Sequence, residues 1–205
     1  MTGKRESKKR ALRKALYDAA FVLIERNGYD AVSIEQIVAA VGVAKGTFFN
    51  HFPGKADLLA EWYARAMQAA FDKPVATAPD ALPANLTALV LNSLHAASAA
   101  PEMWRAKNAL ALSTPSIQAA ERQVDGDMLA EIERRLNDAR SSGTLPCDID
   151  TRSLADLIVT LVTGSIREWA VTGAQTDAGA RIEQRISHLC KLAGYRPLAP
   201  EPIDA

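Results

Sequence analysis

The sequence predicts an all-α protein of about nine helices, and three observations support this fold class. Alanine is abundant along the chain, and the alternating β-branched residues that are typical of strands are scarce. Apolar residues recur instead at spacings of three and four, as they do on one face of a helix. Glycines and prolines, which end helices, fall between these periodic segments.

The first two predicted helices have clear ends. The first has an apolar face formed by Leu12, Leu16, Ala19, Ala20 and Leu23. It is expected to end at Asn27-Gly28, because both residues tolerate the left-handed conformation that terminates helices. The second helix is expected to begin at Ser33, since Gln36 stands three residues later and completes a Ser-x-x-Gln capping box.

A sharp turn at Gly42 is predicted between the second helix and a short third helix at about 44–51. Pro53-Gly54 interrupts the chain again, and a fourth helix is predicted at about 55–71. A proline-containing connector at 72–84 follows. The remaining predicted helices lie at about 84–99, 102–113, 116–141, 151–172 and 178–193.

Composition and charge exclude several classes of protein. The net charge is zero, yet residues 1–60 carry ten Lys or Arg and six Asp or Glu. This cationic end suits a polyanion such as nucleic acid, and a solvated, frayed tail is the alternative. No apolar run approaches the roughly 18 residues that cross a bilayer, and no signal peptide is predicted. We therefore expect a cytoplasmic protein that does not bind membranes.

The sequence gives no indication of an enzyme. The three histidines lie in separate segments and show no metal-ligand spacing with the cysteines. No glycine-rich phosphate loop is found. We expect no catalytic residues, no metal site and no cofactor. Cys147 and Cys190 are too few for a disulfide framework and are expected to be buried or half-buried thiols.

The second and third predicted helices, with the glycine turn between them, form a unit that suits the major groove of DNA. The third helix is too short to form a core alone, so the face carrying Lys45, Thr47 and Asn50 is free to meet a ligand. Lysine can donate to guanine, and threonine can contact thymine or a phosphate. The basic residues from Lys4 to Lys14 are expected to add salt-dependent attraction or to reach the adjacent minor groove.

Many separately spaced positions of this segment match one known pattern. They are Asn27-Gly28-Tyr29, Ser33-Ile34, Ile37, Val41-Gly42-Val43, Lys45-Gly46-Thr47, Phe52-Pro53-Gly54-Lys55 and Leu58-Leu59. Through them, residues 15–59 resemble the DNA-binding head of the tetracycline-repressor (TetR) family. Two positions depart from the family pattern. Phe49 stands where tyrosine is usual and lacks a hydroxyl for a phosphate, and Val38 stands where alanine is common, which moves the two helices slightly apart.

The resemblance implies a transcriptional repressor that binds double-stranded operator DNA as a symmetric homodimer. It also implies a small-molecule effector that binds in a second domain and weakens DNA binding. In the family the last two long helices, here 151–172 and 178–193, pair with their copies; an intrachain core is the alternative use of their apolar faces. The predicted domains are a DNA-binding head at 8–60, a ligand-binding and dimerisation domain at 61–195 and a flexible tail at 196–205.

Two sets of site residues are predicted. The DNA-binding set is Ser33, Lys45, Gly46, Thr47, Phe49, Asn50, His51 and Lys55. Lys45 and Thr47 are the expected base readers, whereas Ser33, His51 and Lys55 are the expected phosphate contacts. The effector-binding set is Met67, His95, Met103, Trp104, Met128 and Trp169. Large adaptable side chains of this kind suit a lipophilic or aromatic effector, although each is also an ordinary core residue.

Two alternative functions stay open. The first is a constitutive or nonspecific architectural DNA-binding dimer without an effector. The second is a small helical enzyme or lipid carrier that uses its basic tail at membranes. The capping box, the Gly42 turn and Lys45-Gly46-Thr47 argue against the second alternative.

Overall fold

The computed structural model of the protein describes residues 2–75, 81–172 and 178–197. Within these ranges the chain forms nine helices and no strand, which confirms the predicted all-α fold. The helices are α1 (Thr2–Asn27), α2 (Ile34–Val41), α3 (Lys45–Phe49), α4 (Lys55–Phe71), α5 (Leu82–Ser98), α6 (Pro101–Leu110), α7 (Pro115–Ser141), α8 (Thr151–Thr172) and α9 (Ala178–Leu192).

The helix ends agree with the predicted ones to within a few residues, with one exception. α1 begins at Thr2, so the basic segment that could have been a frayed tail is helical. Its charged residues lack an apolar period, and for this reason the pattern did not show the helix there. α1 ends at Asn27 and Gly28 has a φ of 83°, as predicted for a left-handed helix end. Most of the predicted tail, residues 198–205, lies outside the described residues.

The chain folds into two compact units. The head unit comprises the residues up to Met67 together with Ala96–Gln123, and the body unit comprises Gln68–His95 together with the chain from Val124 onward. The head unit is therefore a larger segment of chain than the predicted DNA-binding domain at 8–60, because α6 packs against α1. The division of function between 8–60 and 61–195 stays a prediction.

The core of the head unit contains side chains from α1 to α4. Its fully buried apolar residues include Leu16, Ile24, Ile37, Phe48, Phe52, Leu58 and Leu59. Burying such a side chain contributes roughly 1.5–3 kcal/mol. α2 and α3 are short helices, so these anchors hold them in position on α1 and α4.

In the body unit α8 packs against α9. The buried residues of the two helices include Leu154, Ile158, Val162, Ile166, Ile182 and Ile186. The apolar face predicted for α8 is wider than this contact, since Leu157 is 58% exposed and Leu161 is half-buried. An intrachain core thus uses only part of the apolar surface of α8.

The two cysteines differ in environment. Cys190 is buried in the body unit, and burial raises the pKa of its thiol to about 12. Cys147 is exposed, so the expectation of burial is wrong for this residue. It lies in the turn between α7 and α8, outside both helices. Across those residues, no helix combines the length and the apolar character needed to span a bilayer.

Candidate nucleic-acid interface

The start of α2 is held by the capping box that the sequence predicts. The Ser33 hydroxyl oxygen accepts from the Gln36 backbone N–H at 3.2 Å, and the Ser33 backbone N–H donates to Gln36 Oε1 at 2.7 Å. Two backbone donors at the helix start are satisfied in this way. Ser33 is exposed, so its hydroxyl hydrogen is accessible to a partner outside the chain.

The turn between α2 and α3 depends on Gly42. Its φ of 74° and ψ of 34° lie in the left-handed region, where a side chain costs free energy. The backbone N–H of Val43 donates to the Val38 carbonyl at 3.0 Å and closes the turn. This confirms the sharp turn predicted at Gly42.

One side of α3 is buried and the other is open. The Phe48 ring is fully buried and lies 5.6 Å from the Phe52 ring, measured between centroids. On the open side, Lys45, Gly46 and Asn50 are exposed and Thr47 is half-buried. Phe49 is 48% exposed, an unusual degree of exposure for a phenylalanine. Five of the eight predicted DNA-binding residues thus lie together on this short helix and at its end.

Lys45 is paired with an acidic residue that the sequence did not single out. Its ammonium donates to Glu35 Oε1 at 2.5 Å, and the two side chains are 55% and 62% exposed. The hydrogen bond from Lys45 lowers the pKa of the Glu35 carboxyl. The predicted interface therefore presents a carboxylate beside its principal cation.

Lys55 is engaged inside the head unit. Its ammonium donates to the carbonyls of Tyr29 and Val32, both at 2.7 Å, and the nitrogen lies 3.9 Å from the centre of the Tyr29 ring. Burial lowers the pKa of this lysine. Since an ammonium has three donors, most of its hydrogen-bonding capacity is used within the protein. Lys55 connects the start of α4 to the loop that leads into α2.

Arg13 also connects separate segments of the head unit, near the C-terminal end of α3. Its guanidinium donates to the His51 carbonyl and to the Glu61 carboxylate, and it lies 4.1 Å from the centre of the Phe52 ring. The sequence places Arg13 among the basic residues expected to attract DNA, whereas in the structure it connects α1, the end of α3 and α4. These partners are 38 and 48 residues away in the chain, so no local sequence signal identifies them.

His51 is half-buried beside this arginine. Its Nδ1 atom is buried and has no hydrogen-bond partner among the described residues. Burial, followed by the charges of Arg13 and Lys9, lowers the pKa of the imidazole. His51 is therefore neutral at physiological pH in the free protein.

The predicted effector residues are divided between the two units. Met67, Met103 and Trp104 are buried in the head unit, and Met128 is buried in the body unit. His95 is exposed on α5, and the side chain of Trp169 lies outside the described residues. The structure brings only part of the predicted set together, and Met67, His95, Met103, Trp104 and Met128 do not line the groove described next.

An apolar groove of about 460 Å³ lies on the head unit between α1 and α4. Its lining residues are Tyr17, Asp18, Phe21, Val22, Trp62, Arg65 and Ala66. The Arg65 guanidinium lies 4.5 Å from the centre of the Tyr17 ring. Burial raises the pKa of Tyr17 to about 12. The described parts of the chain contain no cluster of three or more His, Cys, Asp or Glu side chains that could hold a metal ion.

α6 is joined to α1 by a polar contact that the sequence did not predict. The Glu25 carboxylate accepts from the Met103 backbone N–H at 2.7 Å, in the first turn of α6. A carboxylate is favoured there because the free N–H groups of a helix start carry partial positive charge. On the same helix, the buried Lys107 ammonium lies 4.2 Å from the centre of the Tyr63 ring and pairs with Glu121.

A capped helix, a left-handed glycine turn and a short helix with one open face define a helix-turn-helix DNA-binding protein. The family model described as bacterial regulatory proteins, tetR family, matches residues 16–62. The HTH-type transcriptional repressor KstR of Rhodococcus jostii is 25% identical over 187 residues, which cover 90% of this chain and 85% of that protein.

Solved structures share the fold over nearly the whole chain. FadR of Thermus thermophilus, a TetR-family repressor solved with lauroyl-CoA, has a TM-score of 0.70 at 19% identity, with 94% of this chain and 100% of that chain covered. The fatty acid degradation regulator FadR of Bacillus halodurans has a TM-score of 0.68 at 22% identity, with 90% of this chain and 97% of that chain covered. Residues 16–62 therefore match a tetR-family DNA-binding domain, and over most of its length the chain is similar to a transcriptional repressor.

Proposed function

We propose that the protein is a cytoplasmic repressor that binds operator DNA sequence-specifically as a homodimer and is released by a lipophilic effector. The open face of α3 is the observation that carries the DNA-binding part of this proposal. Phe48 anchors the helix from below, and Lys45, Gly46 and Asn50 stay exposed on the opposite side. Such a helix can enter the major groove without losing its packing.

The proposed contacts follow from the positions of the side chains. Lys45 and Thr47 read base edges, while Gly46 allows close approach and Asn50 and Phe49 lie beside them on the exposed surface. Ser33 and His51 contact phosphates from the start of α2 and the end of α3. Lys55 supports the interface by holding the loop before α2, since its ammonium already has two acceptors.

Fluorescence anisotropy with purified protein tests the specificity. The labelled duplex is the DNA upstream of the protein's own gene, and an unrelated duplex of equal length is the competitor at physiological salt. Specific binding predicts a ratio of affinities of at least about 10³. A ratio near one contradicts the proposal and favours a constitutive, nonspecific architectural dimer.

The exposed face of α8 supports the proposed dimer. Leu157, Leu161 and Gly164 are spaced by four and three residues, so they lie on one side of the helix. Leu157 is 58% exposed, and apart from the neighbours of Gly164 in the chain and the backbone of its own helix, no described atom lies within 4 Å of the place where a Gly164 Cβ would stand. An apolar face with an open glycine allows a second helix to approach closely.

Sedimentation equilibrium tests the dimer. The wild-type protein is expected to be a dimer at micromolar concentration, whereas Leu157→Asp is expected to be a monomer with unchanged helical content. Leu112→Asp is the matched control, because Leu112 is 94% exposed in the segment between α6 and α7. A dimeric Leu157→Asp protein, or a monomeric wild type, contradicts this part of the proposal.

A buried donor supports an effector with a polar group. Trp104 is 6% exposed, and its Nε1 has no hydrogen-bond partner among the described residues. The Trp62, Tyr63 and Trp104 rings lie close together, with centroids about 6.0 Å apart or less from Trp104. An effector with an apolar body and an oxygen acceptor would bury its body against these rings and satisfy the indole N–H.

Lauroyl-CoA and dodecanoic acid are suitable probes, because the Thermus thermophilus FadR structure contains lauroyl-CoA. A ligand of this class is expected to raise the Tm of the protein and to release the bound duplex, and Trp104→Phe is expected to weaken both effects. If neither probe raises the Tm or releases DNA, an acyl effector of this chain length is excluded.

A further inference from the structure

We infer that Glu35 and Lys45 act as one unit that reads a single G·C base pair in each half-site. The inference rests on the proposed sequence-specific function and names the base pair that the head recognises. It starts from the ion pair between α2 and α3, whose acidic member is not among the predicted DNA-binding residues.

The ion pair presents a donor and an acceptor side by side. The Lys45 ammonium and the Glu35 carboxylate are 2.5 Å apart, and both side chains are more than half exposed. They belong to different helices of the helix-turn-helix, so the backbone fixes where the two groups meet. Because the pair restrains the long lysine side chain, less conformational entropy is lost when Lys45 meets DNA.

The major-groove edge of a G·C pair has the complementary arrangement. Guanine O6 is an acceptor and cytosine N4 is a donor, and a Watson–Crick hydrogen bond joins them at about 3 Å. Lys45 can donate to guanine O6 while Glu35 accepts from cytosine N4. The two protein groups and the two base groups then form a closed ring of hydrogen bonds in which every charge keeps its partner.

An A·T pair also offers a neighbouring donor and acceptor, but its flanking groups are unfavourable. Beside guanine O6 lies the N7 acceptor, which attracts the Lys45 ammonium; beside thymine O4 lies a methyl group, which does not. On the other side, adenine N7 repels the Glu35 carboxylate, whereas cytosine has no acceptor there. The flanking groups therefore favour G·C over A·T, and the order of Lys45 and Glu35 across the groove fixes which strand carries the guanine.

The neighbouring residue leaves room for this contact. Gly46 follows Lys45, and apart from its neighbours in the chain and the backbone of α3 itself, no described atom lies within 4 Å of the place where its Cβ would stand. A base edge can therefore come close to the start of α3. Replacement of either charge alone would leave the other facing a base pair without its partner.

Selection from a synthetic library of random duplexes tests the inference, with wild-type protein and three variants in parallel. The wild type is expected to select a G·C pair at one symmetric position of both half-sites. Glu35→Ala and Lys45→Ala are each expected to reduce the preference at that position by roughly ten- to hundredfold. The double variant Glu35→Lys/Lys45→Glu keeps the net charge and the ion pair, and it is expected to select the inverted C·G pair there.

Inosine and a distant ion pair serve as controls. An inosine·C pair keeps the same major-groove edge and is expected to bind as well as G·C. Asp138→Asn removes a similarly exposed partner of Arg134 in α7 and is expected to leave the selected sequence unchanged. Thermal melting of each variant shows that it is folded.

The possible results separate this inference from the proposed function. If the wild type selects no common sequence, the proposed function fails and the inference fails with it. If the wild type selects a sequence but Glu35→Ala keeps its full G·C preference, or the folded double variant does not invert the pair, only the inference is overturned. Inversion of the selected pair supports both.

Discussion

Replacement of Lys55 by methionine tests how the helix-turn-helix is held on the rest of the head unit. The substitution removes the ammonium and keeps the length of the apolar stem. It therefore abolishes the two 2.7 Å hydrogen bonds to the Tyr29 and Val32 carbonyls and the contact with the Tyr29 ring. α4 then loses its polar connection to the loop before α2.

The expected loss of stability follows from these contacts. A hydrogen bond to a charged group contributes about 1.5–3 kcal/mol. Two of them are lost, while the variant avoids the cost of partly burying an ammonium, the same burial that lowers the pKa of Lys55. We expect a net loss of about 3 kcal/mol, which corresponds to a decrease in Tm of roughly 6–12 °C for a chain of this size.

Thermal melting and the salt dependence of DNA binding together distinguish the two roles of Lys55. A lysine that holds the loop lowers the Tm when replaced and leaves the salt slope of binding unchanged, measured well below the Tm. A lysine that contacts a phosphate reduces that slope by about one unit. Lys73→Met, at an exposed lysine after α4, is the control for the loss of one charge. An unchanged Tm with a reduced slope would refute the reasoning.

Three further outcomes are expected. Phe49→Tyr adds the hydroxyl that is usual in the tetR family and should tighten DNA binding about fivefold in fluorescence anisotropy, which is the effect of one net hydrogen bond. An unchanged affinity would show that the hydroxyl reaches no phosphate. Gly42→Ala should lower the Tm by roughly 2–4 °C, because a φ of 74° costs an alanine about 1 kcal/mol. The control is Gly126→Ala: among the described residues both glycines have open space for a Cβ, but Gly126 is helical, so this variant should not lower the Tm. Burial and the charge of Arg13 lower the pKa of His51 below 6.5, so the unfolded state binds more protons and the free energy of unfolding should fall as the pH drops below about 6.5. His51→Gln should weaken this pH dependence in urea titrations at pH 7.5 and 5.5, and an equal pH dependence in the wild type and the variant would contradict the prediction.

Local features made much of the fold predictable. The bounds of α4 and α8 agree closely with the sequence pattern, because a helix end depends on residues within one turn of it. The capping box of Ser33 and Gln36 and the left-handed turn at Gly42 are local features of this kind, and the structure confirms both predictions. The start of α1 at Thr2 was not predicted, since a run of charged residues forms a helix without an apolar face.

The candidate interface was predictable in outline only. The residues of α3 that lie open could be named, because a short helix with two buried aromatic anchors leaves its other side exposed. The partners of these residues could not. Lys45 meets Glu35 ten residues away and Lys55 meets Tyr29 twenty-six residues away, across turns whose geometry no spacing rule provides.

The sequence by itself determined the helices, their caps, the glycine turn and the set of side chains available at the open face of α3. These depend on short-range hydrogen bonds and on the period of the helix, which a single chain displays directly. Only the tertiary structure decided which partners the charged side chains have within the protein and which apolar side chains stay exposed. In the structure Arg13 and Lys55 bind acceptors within the head unit, and Glu35 pairs with Lys45. Leu157 stays exposed beside the buried Ile158. The packing of distant segments determines which neighbours each of these side chains contacts.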